Sequence, residues 1–373
     1  MAAIERESSM LGRLAARAAG LIGGLFAAHP AAAVDVPPNR AEAMFHVYDG
    51  GGMSAIGPAL LVRKSLADRV SASASYYVDA VSNASIDVVT TASPFKETRT
   101  EFGVGLDVAV RDSLISLSMS ASREPDYDAN TVSLDVSQEV FGGMTTVLFG
   151  FSRGSDEVGK KNEPSFLDTA RHWQYRVGVT QVLSPRWLAS VNLEAVSDDG
   201  YLGSPYRAAR VFGAFVPERM PRTRSSRAVK LRSITAVGEQ ASVRAEYRYF
   251  WDTWDIKAHT FELGGSRYFR GTTWLADAFV RGYSQGAALV YSDNASSETT
   301  YLTRNRQLSA FSSFGIGGRV TYAGASLPAR YDVKVSGAYE FKRFDFKEFT
   351  DLRNGQPYAH NAHVLQIQVS ASF

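Results

Sequence analysis

The chain has 373 residues, a formal net charge of +2 and no cysteine. The missing cysteines exclude disulfide bonds and thiolate metal sites, and the near-neutral charge gives no general argument for a nucleic-acid partner. The length alone fits one large domain or two smaller ones.

The first 33 residues differ from the rest of the chain and have the features of a secretory signal peptide. Their positive leader contains Arg6, Arg13 and Arg17. The apolar run 18–28 is too short to span a bilayer, and the small residues 31–33 suit a signal peptidase. We therefore expect export by the general secretory route and a mature domain of residues 34–373, with an uncleaved membrane anchor as the alternative.

Most of the mature chain alternates between apolar and polar residues, which is the period of a β-strand with one apolar and one wet face. The segments 70–80, 115–121 and 331–341 are examples. Several such segments run to about a dozen residues, above the usual strand of about five or six. Strands of about ten residues suit a tilted crossing of a bilayer, so the pattern predicts a transmembrane, antiparallel, all-β fold.

The connections between these segments alternate in length. Short turns fall at Leu66–Arg69, Arg111–Ser113, Phe141–Gly143, Ser184–Arg186, Gly238–Gln240, Arg270–Thr272 and Ala323–Pro328. Outer connections, mostly longer, fall near Gly50–Gly57, Ser82–Lys96, Glu124–Tyr127, Asp156–Ala170, Asp198–Arg224, Asp252–Asp255, Gln285–Thr300 and Glu348–Asn361. Together they predict a sixteen-stranded outer-membrane β-barrel with both ends on the short-turn side. If the first hairpin (Ala43–Tyr48 with Ala59–Leu66) does not form, the count is fourteen.

The tryptophans lie at the ends of the predicted strands, as in the two aromatic girdles of a membrane barrel. Trp187 and Trp274 follow short turns, whereas Trp173, Trp251 and Trp254 lie next to outer connections. The girdles favour a membrane barrel of a Gram-negative bacterium over the alternative, a soluble β-sandwich.

The chain ends in the strict alternation AHVLQIQVSASF. We expect this last strand to pair with the first, which removes exposed sheet edges, and to turn its apolar residues toward lipid. The terminal Phe373 resembles the signal that outer-membrane assembly machinery recognises, which makes that machinery an expected partner.

The chain resembles a bacterial family known as domain of unknown function 3570, whose members are predicted outer-membrane barrels. The resemblance rests on segments at Tyr48–Gly52, Leu61–Glu101, Glu124–Gly142, Gly200–Val211, Pro217–Arg224 and Tyr247–Gly264. It implies the fold and an outer-membrane location, and it implies no activity. The resemblance also implies neighbouring genes for small lipoproteins, thioredoxin-like proteins and flavin-transfer enzymes, and hence a periplasmic partner in extracytoplasmic electron transfer.

An arginine-rich segment follows the ninth predicted strand. Its candidate pore-constricting or anion-binding residues are Arg207, Arg210, Arg219, Arg222 and Arg224. Guanidinium groups bind phosphate and carboxylate in fork geometry, so the segment is a candidate inward loop that attracts anions, or a contact for lipopolysaccharide phosphates. The alternative is that these arginines pair with lumen carboxylates such as Asp79, Asp107, Asp135 and Glu194.

Charges of both signs fall on the polar face of the predicted strands. The candidate lumen-lining residues are Asp79, Asp107, Asp135, Arg176, Glu194, Arg244, Glu246, Arg248, Lys334 and Glu340. Such residues line an aqueous channel in a wide barrel, or close it by pairing across it.

Two motifs suggest metal binding only weakly. Asp126, Asp128 and Asn130 alternate as in a calcium loop but lack its glycine and distal glutamate, and His360 and His363 lack an evident third ligand. We predict no metal, no cofactor and no catalytic residue. The leading hypothesis is a porin-like channel for small solutes; the alternatives are a non-conducting scaffold for periplasmic proteins and, more weakly, an outer-membrane enzyme.

Overall fold

The structure, a computed structural model, describes residues 34–83, 95–161, 163–271, 273–324 and 331–373. The predicted signal peptide, residues 1–33, lies outside these ranges. Among the described residues, no helix has both the length and the apolar character needed to cross a membrane.

Sixteen strands close into one antiparallel barrel, so the predicted fold and strand count are confirmed, including the first hairpin. The barrel strands are β1 (Arg40–Gly50), β2 (Met53–Ala67), β3 (Val70–Asn83), β4 (Phe95–Val110), β5 (Ser113–Glu124), β6 (Tyr127–Val140), β7 (Thr145–Gly159), β8 (Leu167–Ser184), β9 (Trp187–Gly200), β12 (Thr223–Val237), β13 (Ala241–Asp252), β14 (Lys257–Phe269), β15 (Trp274–Gln285), β16 (Phe311–Ala323), β17 (Asp332–Asp351) and β18 (Gln356–Ser372). Two short strands, β10 (Ala208–Val211) and β11 (Ala214–Pro217), form a separate hairpin between β9 and β12.

The last strand closes the barrel against the first. β1 pairs with β18 in unbroken register from Arg40 opposite Ser372 to Gly50 opposite Ala362. The described ends of the chain therefore meet at the short-turn side, as predicted. Within the described residues, every barrel strand therefore has a hydrogen-bonded neighbour on each side, which is a requirement inside a bilayer.

The outer face of the barrel is apolar. Leu365, Ile367 and Val369 of the closing strand are all exposed, with Ile367 at 52%. Equivalent side chains on the other strands, such as Leu60 and Ile316, are exposed to a similar degree. A continuous apolar surface around the whole sheet is a surface for lipid rather than water, which makes this the fold of Gram-negative outer-membrane proteins.

Four tryptophans have the positions expected of two aromatic girdles, and one does not. Trp187 and Trp274 are exposed at the turn end, and Trp173 and Trp251 lie on the outward face near the opposite rim. The prediction was wrong for Trp254, which is only 5% exposed. It lies in the connection between β13 and β14, where strand alternation no longer determines the direction of a side chain.

The outer connections are less uniformly long than predicted. Those between β1 and β2, β5 and β6, β13 and β14, and β17 and β18 have four residues or fewer. The predicted loops Gly50–Gly57 and Glu348–Asn361 are mostly strand, because the backbone ladder continues beyond the apolar band. β17 reaches Asp351 through a register shift between Asp345 and Thr350.

Two outer connections, residues 201–222 and 286–310, fold together over the outer mouth, and we call them the lid. The β10–β11 hairpin belongs to the first, and a short 3-10 helix (Arg306–Leu308) to the second. The two segments share backbone hydrogen bonds, including the reciprocal pair between Arg219 and Leu302 at 3.0 and 2.8 Å. Residues Thr303 and Ser309 of the second segment are fully buried, so the lid is a packed structure.

Candidate channel lumen and lid

Two predicted carboxylates face the lumen on the wall formed by β2–β4, each with a partner from a strand two positions away. Asp79 lies 2.6 Å from the imidazole of His46, which also bonds the Tyr77 hydroxyl at 3.0 Å. Asp107 lies 3.0 Å from the guanidinium of Arg63. Both carboxylates are almost fully buried, as expected of charges that are paired at a wall.

The next two predicted carboxylates reach their partners over an intervening strand. Arg176 on β8 donates two hydrogen bonds to Asp135 on β6, at 2.9 and 3.0 Å. Between them, on β7, lies Gly150, where a Cβ atom would stand 2.4 Å from an Asp135 oxygen. Because Gly150 has no side chain, it leaves a notch in the wall through which the side chains of Asp135 and Arg176 can meet. Glu194 lies 3.7 Å from Arg248, again two strands away.

On the wall of β12–β17 the charges form a longer chain. Lys230 lies 2.8 Å from Glu246, which is directly opposite Glu262 on neighbouring strands β13 and β14. Glu262 accepts from Arg281 at 2.6 Å and lies 3.5 Å from Arg244. Because Glu246 and Glu262 each have a cation of their own, the two carboxylates can lie side by side.

The chain continues to β17. Arg281 also lies 3.5 Å from Glu340, which is 3.2 Å from Lys342. Lys334, the last predicted lumen residue, has the same strand parity as Glu340 but is exposed near the turn end. Sequence reasoning did not single out His46, Arg63, Glu262 or Arg281, although their alternation parity marked them as inward. All ten predicted lumen positions thus have inward parity, nine within the lumen and one at its turn-side edge.

These contacts share one geometric property. Each lumen ion pair among the described residues joins side chains of one strand or of strands one or two positions apart. The pairs therefore run along the wall. None of the described pairs bridges opposite walls of the barrel.

Two arginines of the arginine-rich segment, Arg207 and Arg210, lie in different environments. Arg207 lines a cavity beneath the lid, where its charge lies beside Glu218. Arg210 is at the β10–β11 hairpin and donates to the carbonyl of Gly213 at 3.3 Å. Burial raises the pKa of Glu218 above its usual range, because the charged form loses water.

The other three arginines are ion-paired at the rim. Arg219 lies 2.7 Å from Glu298 across the two lid segments. Arg222 donates to both oxygens of Asp168, at 2.8 and 2.7 Å, and these hydrogen bonds lower the pKa of that carboxyl. The predicted alternative partners in the lumen were therefore wrong, because those carboxylates have partners of their own.

Arg224, near the start of β12, pairs with the end of the neighbouring strand β13 beside the lid. Its guanidinium lies 2.5 Å from Asp252, whose side chain has no exposed surface, and 4.6 Å from the centre of the Trp254 ring. Asp252 also accepts from the backbone N–H groups of Trp254 and Ile256 at 3.0 and 2.9 Å. A buried carboxylate with four donors fixes the short β13–β14 connection.

One apolar cluster packs the lid against the inner face of the barrel, and one lid side chain, Arg304, reaches a second cluster that lies on the barrel strands. Trp254, Ile256, Ala288 and Leu308 form the first, with Phe250 of β13 packed against it. The second contains Phe346, Phe349 and Tyr358, with Phe311 and Phe344 packed against it. Arg304 of the lid, 5% exposed, lies over the Phe349 ring at 4.2 Å and donates to the carbonyl of Thr350 at 2.6 Å.

A cavity of about 560 Å³ lies beneath the lid. Its lining combines aromatic rings, including Trp254 and Tyr283, with polar side chains. His172 on its wall bonds Asp198 at 2.7 Å and Asp156 at 3.0 Å. With a carboxylate on each ring nitrogen, His172 carries both protons and acts as a fixed cation in the wall.

The two weak metal motifs do not converge in the fold. His360 faces inward and stacks on Phe344 at 4.8 Å, whereas His363 faces outward and bonds the Tyr339 hydroxyl at 2.7 Å. A spacing of three residues places side chains on opposite faces of a strand. Asp126 accepts a hydrogen bond from the Tyr206 hydroxyl rather than grouping with the outward positions 128 and 130.

Solved structures resemble the barrel at low sequence identity. The siderophore receptor PirA from Pseudomonas aeruginosa matches with 11% identity and a TM-score of 0.45, over 84% of this chain and 57% of the receptor. The bacterial polysaccharide outer membrane secretin matches with 9% identity and a TM-score of 0.49, over 91% of this chain and 100% of that one. The outer membrane protein OpdK from P. aeruginosa matches with 10% identity and a TM-score of 0.44, over 89% and 98%. This chain thus spans little more than half of the receptor, and the likeness carries no functional information.

Sequence similarity gives a firmer assignment. No curated protein sequence matches the chain. The family described as "Protein of unknown function (DUF3570)" matches residues 71–169 and 160–323. These ranges span more than half of the chain, from β3 to the end of β16. The chain belongs to this family of proteins of unknown function.

Proposed function

We propose that the protein is a porin-like outer-membrane channel for small solutes, with an outer mouth narrowed by the lid. The observation that carries the proposal is the direction of the lumen ion pairs. They run along the wall, so the charges stabilise a polar surface instead of joining opposite walls. Sixteen-stranded barrels of this kind are wide enough for an aqueous channel.

The contacts that hold the lid in one position support the proposal that it is a fixed constriction of the outer mouth. The Trp254 cluster and the contacts of Arg304 with Phe349 and Thr350 hold it to the barrel, and reciprocal backbone bonds hold its two segments together. In this proposal the lid arginines mainly keep the constriction in place through ion pairs and hydrogen bonds. Arg207 of the lid and Arg224 of β12 face the cavity beneath it. No residue is assigned a catalytic role.

The proposed location is the outer membrane of a Gram-negative bacterium, reached by the general secretory route. The proposed partners are the assembly machinery, through the exposed Phe373, and lipopolysaccharide at the outer rim. A periplasmic protein partner belongs to the alternative, a non-conducting scaffold.

A liposome-swelling assay with uncharged solutes of increasing size tests the channel. We expect protein-containing liposomes to swell with small sugars, at a rate that falls steeply as solute size grows. Liposomes without protein and liposomes with heat-denatured protein are the controls. Swelling equal to these controls for the smallest solute would contradict an open channel and favour the scaffold.

A further inference from the structure

The two walls of the lumen differ in charge. Between the rim and the turns, the described inward cations of β12–β17 are Lys230, Arg232, Arg244, Arg248, Arg281, Arg319 and Lys342, against the carboxylates Glu246, Glu262, Asp277 and Glu340. On β1–β9 the described inward carboxylates include Asp79, Glu101, Asp107, Asp135 and Glu194 between the rim and the turns and Glu42, Glu124, Asp156 and Asp198 nearer the strand ends, against the cations Arg40, Arg63, Arg99, Arg176 and His172. One wall is therefore net positive and the facing wall net negative, so anions are attracted to the β12–β17 side.

Three arginines of the positive wall converge on one cavity. Arg232, Arg244 and Arg319, from β12, β13 and β16, line a space of about 470 Å³ on the turn side of the barrel. Two carboxylates, Asp277 and Glu340, line the same space. Glu340 is already engaged by Lys342 and Arg281, so it neutralises little of the charge of the three guanidinium groups.

Two of these guanidinium groups, those of Arg232 and Arg244, contact carboxylates only at 3.5 Å or more, Arg244 being 3.5 Å from Glu262. Arg319 makes no ion pair or hydrogen bond with any of the described residues, although its cross-strand neighbour is Asp277. The carboxylate of Asp277 instead accepts from the Ser266 hydroxyl and lies 3.9 Å from Arg244. Arg232 is 3.8 Å from its nearest carboxylate, Glu246. Free guanidinium donors in a confined space are the chemistry that binds an oxyanion.

Glycines keep this cavity open. At Gly264 a Cβ atom would stand 2.7 Å from the Arg244 guanidinium carbon, and at Gly317 it would stand 2.7 Å from the Phe279 ring. Both side chains can therefore lie flat against the wall. The Phe279 ring in turn has the Arg281 guanidinium 5.3 Å from its centre, which keeps that cation away from the cavity.

We infer that this cavity is a binding site on the permeation path for an oxyanion, the phosphate or carboxylate group of a small solute, with Arg319 as its main donor. The inference rests on the proposed channel function for its place on the path. The inferred anion site is thus on the turn-side wall. It is not in the lid, where most of the arginines already have ion-pair or hydrogen-bond partners.

Reversal potentials and current block test the site in planar bilayers. Under a KCl gradient the wild type is expected to favour chloride, and inorganic phosphate is expected to block the current. Arg319→Gln is expected to need roughly tenfold more phosphate for the same block, as befits the loss of one charge-assisted donor. Arg186→Gln, at an exposed arginine of the turn between β8 and β9, is the matched control and is expected to behave as wild type. Succinate in place of phosphate shows whether the site takes carboxylates as well.

Each outcome decides the inference. A cation-selective wild type, or equal block in wild type and Arg319→Gln, overturns the site and leaves the channel standing. If no variant conducts, the channel proposal fails. Calorimetry of phosphate binding to the detergent-solubilised barrel then tests the binding site independently of conduction. Phosphate binding to the wild type that is lost in Arg319→Gln supports the site. The absence of binding to the wild type overturns it. An unchanged strand spectrum by circular dichroism shows that Arg319→Gln still folds.

Discussion

At the scale of single residues, glycines decide where the lumen charges meet. Gly150 is the clearest case, because the Asp135–Arg176 pair passes directly over it. Gly150→Val is expected to destabilise the barrel by about 1–3 kcal/mol through overpacking. Thermal unfolding followed by circular dichroism in detergent measures this. Gly282→Val is the matched control, since nothing lies within 4 Å of a Cβ atom there; equal losses in both variants would contradict the notch.

The lid contains one titratable group whose burial gives it a pH effect. The pKa of Glu218 is raised by burial, against the opposing charge of Arg207; its other neighbours are Tyr201, Thr303 and Ser204. A raised carboxyl pKa means that the folded lid favours the protonated form. The lid therefore gains stability as the pH falls through the raised pKa toward the usual value of about 4.3.

We accordingly expect the wild-type conductance to fall as the pH drops through the raised pKa of Glu218 toward the usual carboxyl range. Glu218→Gln, which mimics the protonated acid, is expected to conduct at neutral pH like the acidified wild type and to respond little to pH. The Asp168–Arg222 clasp does not interfere in this window, because the pKa of Asp168 is lowered and the clasp is lost only in stronger acid. A pH response that is equal in both proteins would place the titrating group elsewhere.

At the scale of elements, the lid depends on Trp254. This side chain is the centre of an apolar cluster and stacks under Arg224. Trp254→Ala is expected to destabilise the lid by about 3–5 kcal/mol while the barrel ladder stays intact. Limited proteolysis should then cleave residues 201–222 or 286–310 in the variant alone. Trp187→Ala, in the lipid-facing girdle, is the control; a resistant lid in Trp254→Ala would contradict this role.

Sequence patterns predicted the elements well where the bilayer imposes the period. The alternation in β3, β5 and β17 is required because one face meets lipid and the other meets water, so these strands and their order could be read directly. Beyond the apolar band this requirement ends. For that reason the outer extensions of β2, β17 and β18 were predicted as loops, and Trp254 was placed in a girdle.

The site could be predicted only in part. Strand parity placed Asp135 and Glu340 on the inward face, because each side chain follows from its own strand. Their partners could not be predicted, since they depend on the stagger between strands and on notches such as Gly150. The clasp between Arg222 and Asp168 joins residues 54 apart in sequence and is set by how the lid folds, which no local pattern records.

At the scale of the whole molecule, the central claim is an aqueous path that the lid narrows. Single-channel conductance of the refolded wild type in a planar bilayer, beside a variant lacking the hairpin residues 208–217, tests it most directly. We predict discrete conductance steps in the wild type and larger steps in the variant. Steps of equal size in both proteins would contradict the claim that the lid narrows the path. The absence of steps in both would contradict the channel itself.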